Sequence, residues 1–214
     1  MLTTIVTPPS EKPITLAQAK EFMRVDESAD DSQIEAMIAA ATSRIEAFID
    51  RKLCKQTWHI YWDCFPHTTR NIWWEGVRDM SISEMVSPKR SLDFPFGPMI
   101  SFDAFCTFDD ISPDPIDFPV DKFTVDTAGP VGRIALKIGE TWPTTVLRGV
   151  NGIRATATFG YAEANQIPND ITMAIKMFVA KMYEHRGDDD FDVISKTIPA
   201  TAAMLLEPYR YLKV

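Results

Sequence analysis

Apolar and polar positions alternate with two different periods along this chain, and the change of period divides it. Residues 1–13 carry Pro8, Pro9 and Pro13, which break any helix, so this segment reads as extended or loosely ordered. Thr15 and Gln18 then stand at capping-box spacing, where each side chain satisfies a backbone N–H that the first helical turn leaves unpaired, and Leu16–Val25 reads as a short helix. Asp26–Asp31 is an acidic turn, and Asp30 or Asp31 caps the next helix. In that helix Ile34, Met37, Ile38, Ala41, Ile45, Phe48, Ile49 and Leu53 recur at helical spacing, with Glu35, Arg44, Glu46 and Arg51 on much of the other side. The pattern predicts about six amphipathic turns.

From Gln56 the period becomes two. Trp58, Ile60 and Trp62 alternate with Thr57, His59, Tyr61 and Asp63, so Gln56–Phe65 reads as a strand. Met99–Phe108, Lys122–Asp126, Arg133–Lys137 and Gly152–Phe159 are further strands. Residues 66–97 read as a long loop or a partly paired hairpin, and Asp109–Pro119, with three prolines and four aspartates, as a connecting loop. Helical spacing returns after Pro168 and Asn169, in Ile171, Ala174, Ile175, Phe178, Val179, Met182 and Tyr183. Gly187 supplies the stop, and Lys181, His185 and Arg186 suit the negative end of the helix dipole. An acidic turn, Asp188–Asp192, leads to a tail with two prolines and an apolar-aromatic cluster from Met204 to Leu212.

The expected fold class is α+β: a small α-helical bundle, a β-rich module inserted between the second and third main helices, and an extended C-terminal arm. The corresponding divisions are 1–54 and 166–192 for the bundle, 55–165 for the inserted module and 193–214 for the arm. No repeat or low-complexity tract is present.

With 214 residues, 45% hydrophobic and 24% charged, the composition is that of an ordinary globular protein. The net charge of −8 changes the picture more, because an acidic chain has no general attraction for phosphate or for anionic membranes. The same charge suits a conduit through which DNA slides without sticking. The N-terminus lacks the basic and apolar regions of a signal peptide, and no apolar run approaches the ~18–20 residues of a membrane span, so synthesis in a cytoplasm is expected. Cys54, Cys64 and Cys106 are odd in number and irregular in spacing, which argues against a disulfide framework, although Cys54 and Cys64 are a conceivable pair.

Catalytic patterns are missing: there is no Walker A loop, no GxGxxG, no GxSxG, no HExxH and no CxxC. Cys64 and His67 lie three residues apart but have no third ligand or orienting group nearby in sequence. The aspartates of Asp109–Asp117 and Asp188–Asp192 do not follow the spaced calcium-loop pattern. Glu184-His185 is a dipole-compatible helix end, and Arg186-Gly187-Asp188 a chance tripeptide. No catalytic residue, metal ligand or cofactor is therefore expected. Trp73 and Trp74, adjacent in an irregular segment, are either an interface or buried against the sheet. The cluster near the C-terminus either docks on its own bundle or forms an arm held for a partner.

An ordered series of short segments resembles the head–tail connector (adaptor) proteins of tailed double-stranded-DNA phages and phage-like gene transfer particles. It runs from Ile14-Thr15-Leu16-Ala17-Gln18-Ala19-Lys20 through Arg24-Val25-Asp26, Asp30-Asp31-Ser32-Gln33-Ile34, Ala39-Ala40-Ala41 and Arg51-Lys52-Leu53 to Gln56-Thr57-Trp58. It resumes at Phe123-Thr124-Val125-Asp126, Gly132-Arg133-Ile134, Trp142-Pro143, Ile153 to Tyr161 and Ile167-Pro168. Met182-Tyr183-Glu184-His185-Arg186 and Leu205-Leu206-Glu207-Pro208-Tyr209-Arg210 close it. Roughly 66–98 and 108–120 fall outside the resemblance, and no single motif is diagnostic.

The resemblance implies a structural virion protein at the head–tail interface. Its subunits would form a ring, commonly twelvefold, below the portal protein, extend the DNA channel, and present a face to a stopper or tail-completion protein. It implies no enzyme activity, no sequence-specific DNA binding and no membrane. The portal-binding role would fall on Leu205, Leu206, Pro208, Tyr209, Arg210 and Tyr211. Removing 195–214 is then expected to abolish head attachment and leave the fold intact. Competing expectations are a tail-terminator or stopper protein, a small hydrolase or metal enzyme with the β module as its pocket, and a binding module that never oligomerises.

Overall fold

A computed structural model describes residues 1–65, 91–111, 114–143, 146–185 and 198–211. They form two compact units: Met1–Thr7 with Thr57–Thr158, and Pro8–Gln56 with Phe159–Val214. The architecture is α+β, as the two periods predict.

The helical unit is built from α1 (Leu16–Met23), α2 (Asp31–Ile49), α3 (Asn169–Glu184) and α4 (Ala200–Leu206). The capping box at the start of α1 is formed: the Gln18 backbone N–H donates to Thr15 Oγ1 at 3.2 Å, and the Thr15 N–H to Gln18 Oε1 at 2.9 Å. Arg24 ends the helix in the left-handed region, at φ 56°. For α2, Asp30 is the N-cap but makes no side-chain capping bond. Its Oδ2 instead accepts from the Tyr183 hydroxyl at 2.9 Å, tying the start of α2 to the end of α3. The helix ends at Ile49 rather than running to Leu53, because Asp50 turns left-handed at φ 55°. Leu53 still reaches the core from beyond that turn.

Ile34, Met37, Ile38, Ala41, Ile45 and Ile49 from α2 meet Ile171, Ala174, Ile175 and Val179 from α3 in one apolar cluster, together with Ile14, Ala19, Leu53 and Cys54. The stripes on these helices were visible as sequence periods, and burying them is what holds the helices together. Glu46 serves the turn after α2. Its Oε1 accepts from the Leu53 backbone N–H (2.8 Å) and from Gln56 Nε2 (3.3 Å), while Oε2 faces Lys52 Nζ at 3.3 Å.

The β unit contains eight strands among the described residues: β1 (Leu2–Thr7), β2 (Gln56–Trp62), β3 (Ser91–Asp93), β4 (Met99–Thr107), β5 (Ile116–Phe118), β6 (Phe123–Asp126), β7 (Arg133–Leu136) and β8 (Ile153–Phe159). One sheet has the order β1-β2-β8-β4-β5 and the other β3-β7-β6. The two are joined by an aromatic core. Phe105 on β4 meets Phe123 on β6 at 4.9 Å between ring centroids, Phe102 meets Phe123 at 5.5 Å, and Trp58 and Trp62 on β2 meet Phe96 and Phe94. Edge-to-face contacts of this kind add to the area term of burial.

Three expectations are narrowed or corrected. Of the extended and loosely ordered alternatives for residues 1–13, Leu2–Thr7 takes the extended one: it pairs antiparallel with β2, placing Thr4 opposite His59 and Ile5 opposite Trp58. Its β-branched residues outweigh the prolines, which lie after the strand. Ile116–Phe118, read as loop, pairs with Phe105–Thr107 of β4 because Ile116 and Phe118 flank the aspartate with strand-forming residues. The extended C-terminal arm is, over residues 198–211, the helix α4 and a 3-10 turn Glu207–Tyr209 folded back on α3.

Candidate functional site

The surface singled out in the sequence is this C-terminal segment, and the structure shows how it is held. Pro199 precedes the first turn of α4, and Ile198, Ala202 and Leu206, spaced four apart, point into the helical core. Leu206 is fully buried, so it is not available as an anchor while the segment is docked. Burial of that stripe explains why the segment folds back: an apolar face this regular finds a partner in its own subunit.

Pro208 and Arg210 are exposed, and Leu205, Tyr209 and Tyr211 are half-buried. The Tyr209 hydroxyl donates to Asp170 Oδ2 on α3 at 3.0 Å, and that bond pushes the phenol's pKa up. The Arg210 guanidinium lies 5.0 Å from the Phe48 ring centroid, and the Tyr211 backbone N–H donates to the Ile49 carbonyl at 3.1 Å. Three polar or cation–π contacts thus fasten the end of the segment to α2 and α3. Trp73 and Trp74 lie outside the described residues, as do His67 and Arg186–Asp192.

Among the described residues the candidates for chemistry are not brought together. The three cysteines are free: Cys54 and Cys106 are buried and Cys64 is exposed. Burial and the nearby Glu46 and Glu11 push the Cys54 thiol up to about 12, the opposite of an activated nucleophile. Burial raises Cys106 in the same direction. His59 sits within 3.0 Å of Thr156 Oγ1, and burial, with Arg154 nearby, lowers its pKa. Among the described residues, no group of three or more His, Cys, Asp or Glu side chains is placed to hold a metal ion. No helix there is long and apolar enough to cross a membrane.

Two features escaped the sequence reading. One is the β1 edge, whose signal was the uncharged, β-branched run Leu2-Thr3-Thr4-Ile5-Val6-Thr7. The other is the receiving surface for the C-terminal segment, Phe48 and Asp170, which no local pattern marks.

Residues 13–81 match the family model of the phage gp6-like head–tail connector proteins. Over that segment the chain is similar to the head–tail connector proteins. The fold is also similar, end to end, to chains in gene transfer agent (GTA) particles. One is in the neck of an empty GTA particle determined with C6 symmetry (TM-score 0.74, 18% identity, covering 100% of this chain and 97% of the other). A second is in the virion of a native GTA particle (0.75, 17%, with the same coverage). A third is in the neck of a native GTA particle determined with C12 symmetry (0.64, 20%, again 100% and 97%). At such identities the likeness establishes a shared fold. No curated protein sequence matches the chain.

Proposed function

We propose that this chain is an adaptor ring subunit, joining the portal of a DNA-filled head to a stopper or tail-completion protein and lengthening the DNA channel. The observation that carries the reading is the end-to-end likeness to neck chains of C6- and C12-symmetric particles, combined with the connector-family match at residues 13–81. A twelvefold ring is the copy number this favours. In this reading the β unit is an insertion between the second and third helices of the bundle. The net charge of −8 supports a lumen along which DNA moves without adhering. The subunit works within the virion, at the head–tail interface, after synthesis in the host cytoplasm.

The C-terminal segment remains the proposed portal contact, in altered form. Pro208 and Arg210 are outward-facing, and Leu205, Tyr209 and Tyr211 are partly accessible, while Leu206 keeps the segment seated. A preformed helix loses less conformational entropy on binding than a disordered arm, and multiple copies multiply the gain. Deleting 195–214 is no longer a clean test, since it strips Ile198, Ala202 and Leu206 from the core.

The test is a Pro208→Ala/Arg210→Glu variant, mixed with tailless DNA-filled heads and sedimented. Wild-type protein is expected to co-sediment and the variant to remain in the supernatant, with its helical circular dichroism unchanged. Equal co-sedimentation of both would remove the assignment of these residues. Failure of the wild type to bind heads would remove the adaptor reading itself.

A further inference from the structure

We propose that neighbouring copies of this chain join sheet to sheet, strand β1 of one copy adding to the β5 edge of the next. The inference deepens the adaptor reading, which supplies the closed ring, but the pairing itself rests on separate observations.

Strands β1 and β5 are the two outer strands of the same five-stranded sheet. Each is bonded on one side only among the described residues, β1 to β2 and β5 to β4. An outer strand presents backbone N–H and C=O groups that template pairing, and soluble monomers ordinarily blunt such edges with charge, proline or a covering element. Among the described residues the β1 edge carries neither charge nor proline along Leu2–Thr7; its one irregularity is the register shift between Ile5 and Thr7, which leaves Leu2–Ile5 regularly paired, and Leu2, Ile5 and Val6 are 50%, 47% and 46% exposed. At the opposite edge Ile116 on β5 is 42% exposed and Val120, just after it, 38%. The smaller sheet differs, because ion pairs flank its β6 edge: Lys122–Glu140 and Asp126–Arg133.

Charge disfavours one of the possible edge pairings. The β5 edge is acidic, with Asp117 on the strand and Asp121 just after it exposed, so two β5 edges repel each other. The uncharged β1 edge meets the acidic one without like-charge opposition, and its apolar side chains cover Ile116 and Val120. Joining two different edges is a heterologous contact. Repetition of such a contact yields a ring when the rotation closes, whereas β1 meeting β1 stops at a dimer. The occupant of the β1 edge is therefore a second copy of this chain, received by β-strand addition.

Disulfide trapping tests it, in a Cys64→Ser background so that the exposed native thiol cannot interfere. The double variant Thr4→Cys/Ile116→Cys places one thiol near the middle of β1 and one on β5. Oxidised alone and in the presence of tailless heads, it is expected to give a ladder of covalent multimers on a non-reducing gel, with each single variant remaining monomeric. Dimers of the Thr4→Cys variant alone would establish β1–β1 pairing and overturn the proposal, as would dimers of Ile116→Cys alone. The absence of a ladder under both conditions, from double-variant protein with wild-type circular dichroism, would also overturn it. A ladder from protein that ignores heads would leave the edge pairing standing while the adaptor reading fails.

Discussion

Leu206→Ala separates a docked C-terminal segment from a free arm, and its size follows from the structure. The side chain is fully buried in the helical cluster, four residues from Ala202 and at the end of α4. Replacing it removes three carbons, and at about 0.8 kcal/mol for each buried one the transfer loss is roughly 2.4 kcal/mol. A residual cavity adds to that, since the Ile-rich surroundings relax only in part, giving a total of about 3 kcal/mol. With a urea m-value of about 1–3 kcal/mol/M the unfolding midpoint falls by about 1–3 M. Urea titration followed by circular dichroism at a helical wavelength reads this directly. The matched control is Met204→Ala on the same helix, where the side chain is 77% exposed; it is expected to shift stability by no more than about 0.5 kcal/mol. Equal midpoints for Leu206→Ala and wild type would refute the packing described for residues 198–211 and restore a free arm.

Other positions give sharper local tests. Gly160 follows β8 with φ +109°, and a Cβ there runs into the Cys54 carbonyl, so Gly160→Ala is expected to destabilise by about 3 kcal/mol or more, measured by thermal unfolding. Glu46→Ala removes the acceptor of the Leu53 N–H and one of the acceptors of the Gln56 amide, which keeps the Cys54 carbonyl, and a loss of about 1–3 kcal/mol is expected in the same assay. For His59 the folded state disfavours the charged ring, so the unfolded chain binds more protons below a pH of about 6.5, and stability contributed by the neutral ring falls as the solution is acidified through that value. His59→Gln is expected to flatten that part of the stability–pH profile; an unchanged slope would show that other groups set it.

The helical unit was legible in the sequence because its information is local and periodic. Thr15 and Gln18 specify a cap within one turn, and the stripes of α2 and α3 recur every three or four residues. Small departures arose where backbone conformation overrode the stripe, as at Asp50, whose left-handed turn stops α2 while Leu53 stays apolar and buried. The main strands were legible for the same reason, but their order was not. That β1 joins β2, and that β8 lies between β2 and β4, depends on pairings between residues up to about a hundred positions apart, which no window on the chain contains.

The C-terminal segment shows the division most clearly. By itself the sequence determined that Met204–Tyr211 is rich in apolar and aromatic residues, part of which must be covered by something. Whether the cover is a partner or the subunit's own core is decided by the shape of the surface left between α2 and α3, and by whether Phe48 and Asp170 stand within reach of Arg210 and Tyr209. Those are distances between elements remote in sequence. Hydrophobic burial sets how much surface must be hidden, but it is non-directional, so only the tertiary structure settles where each apolar face goes.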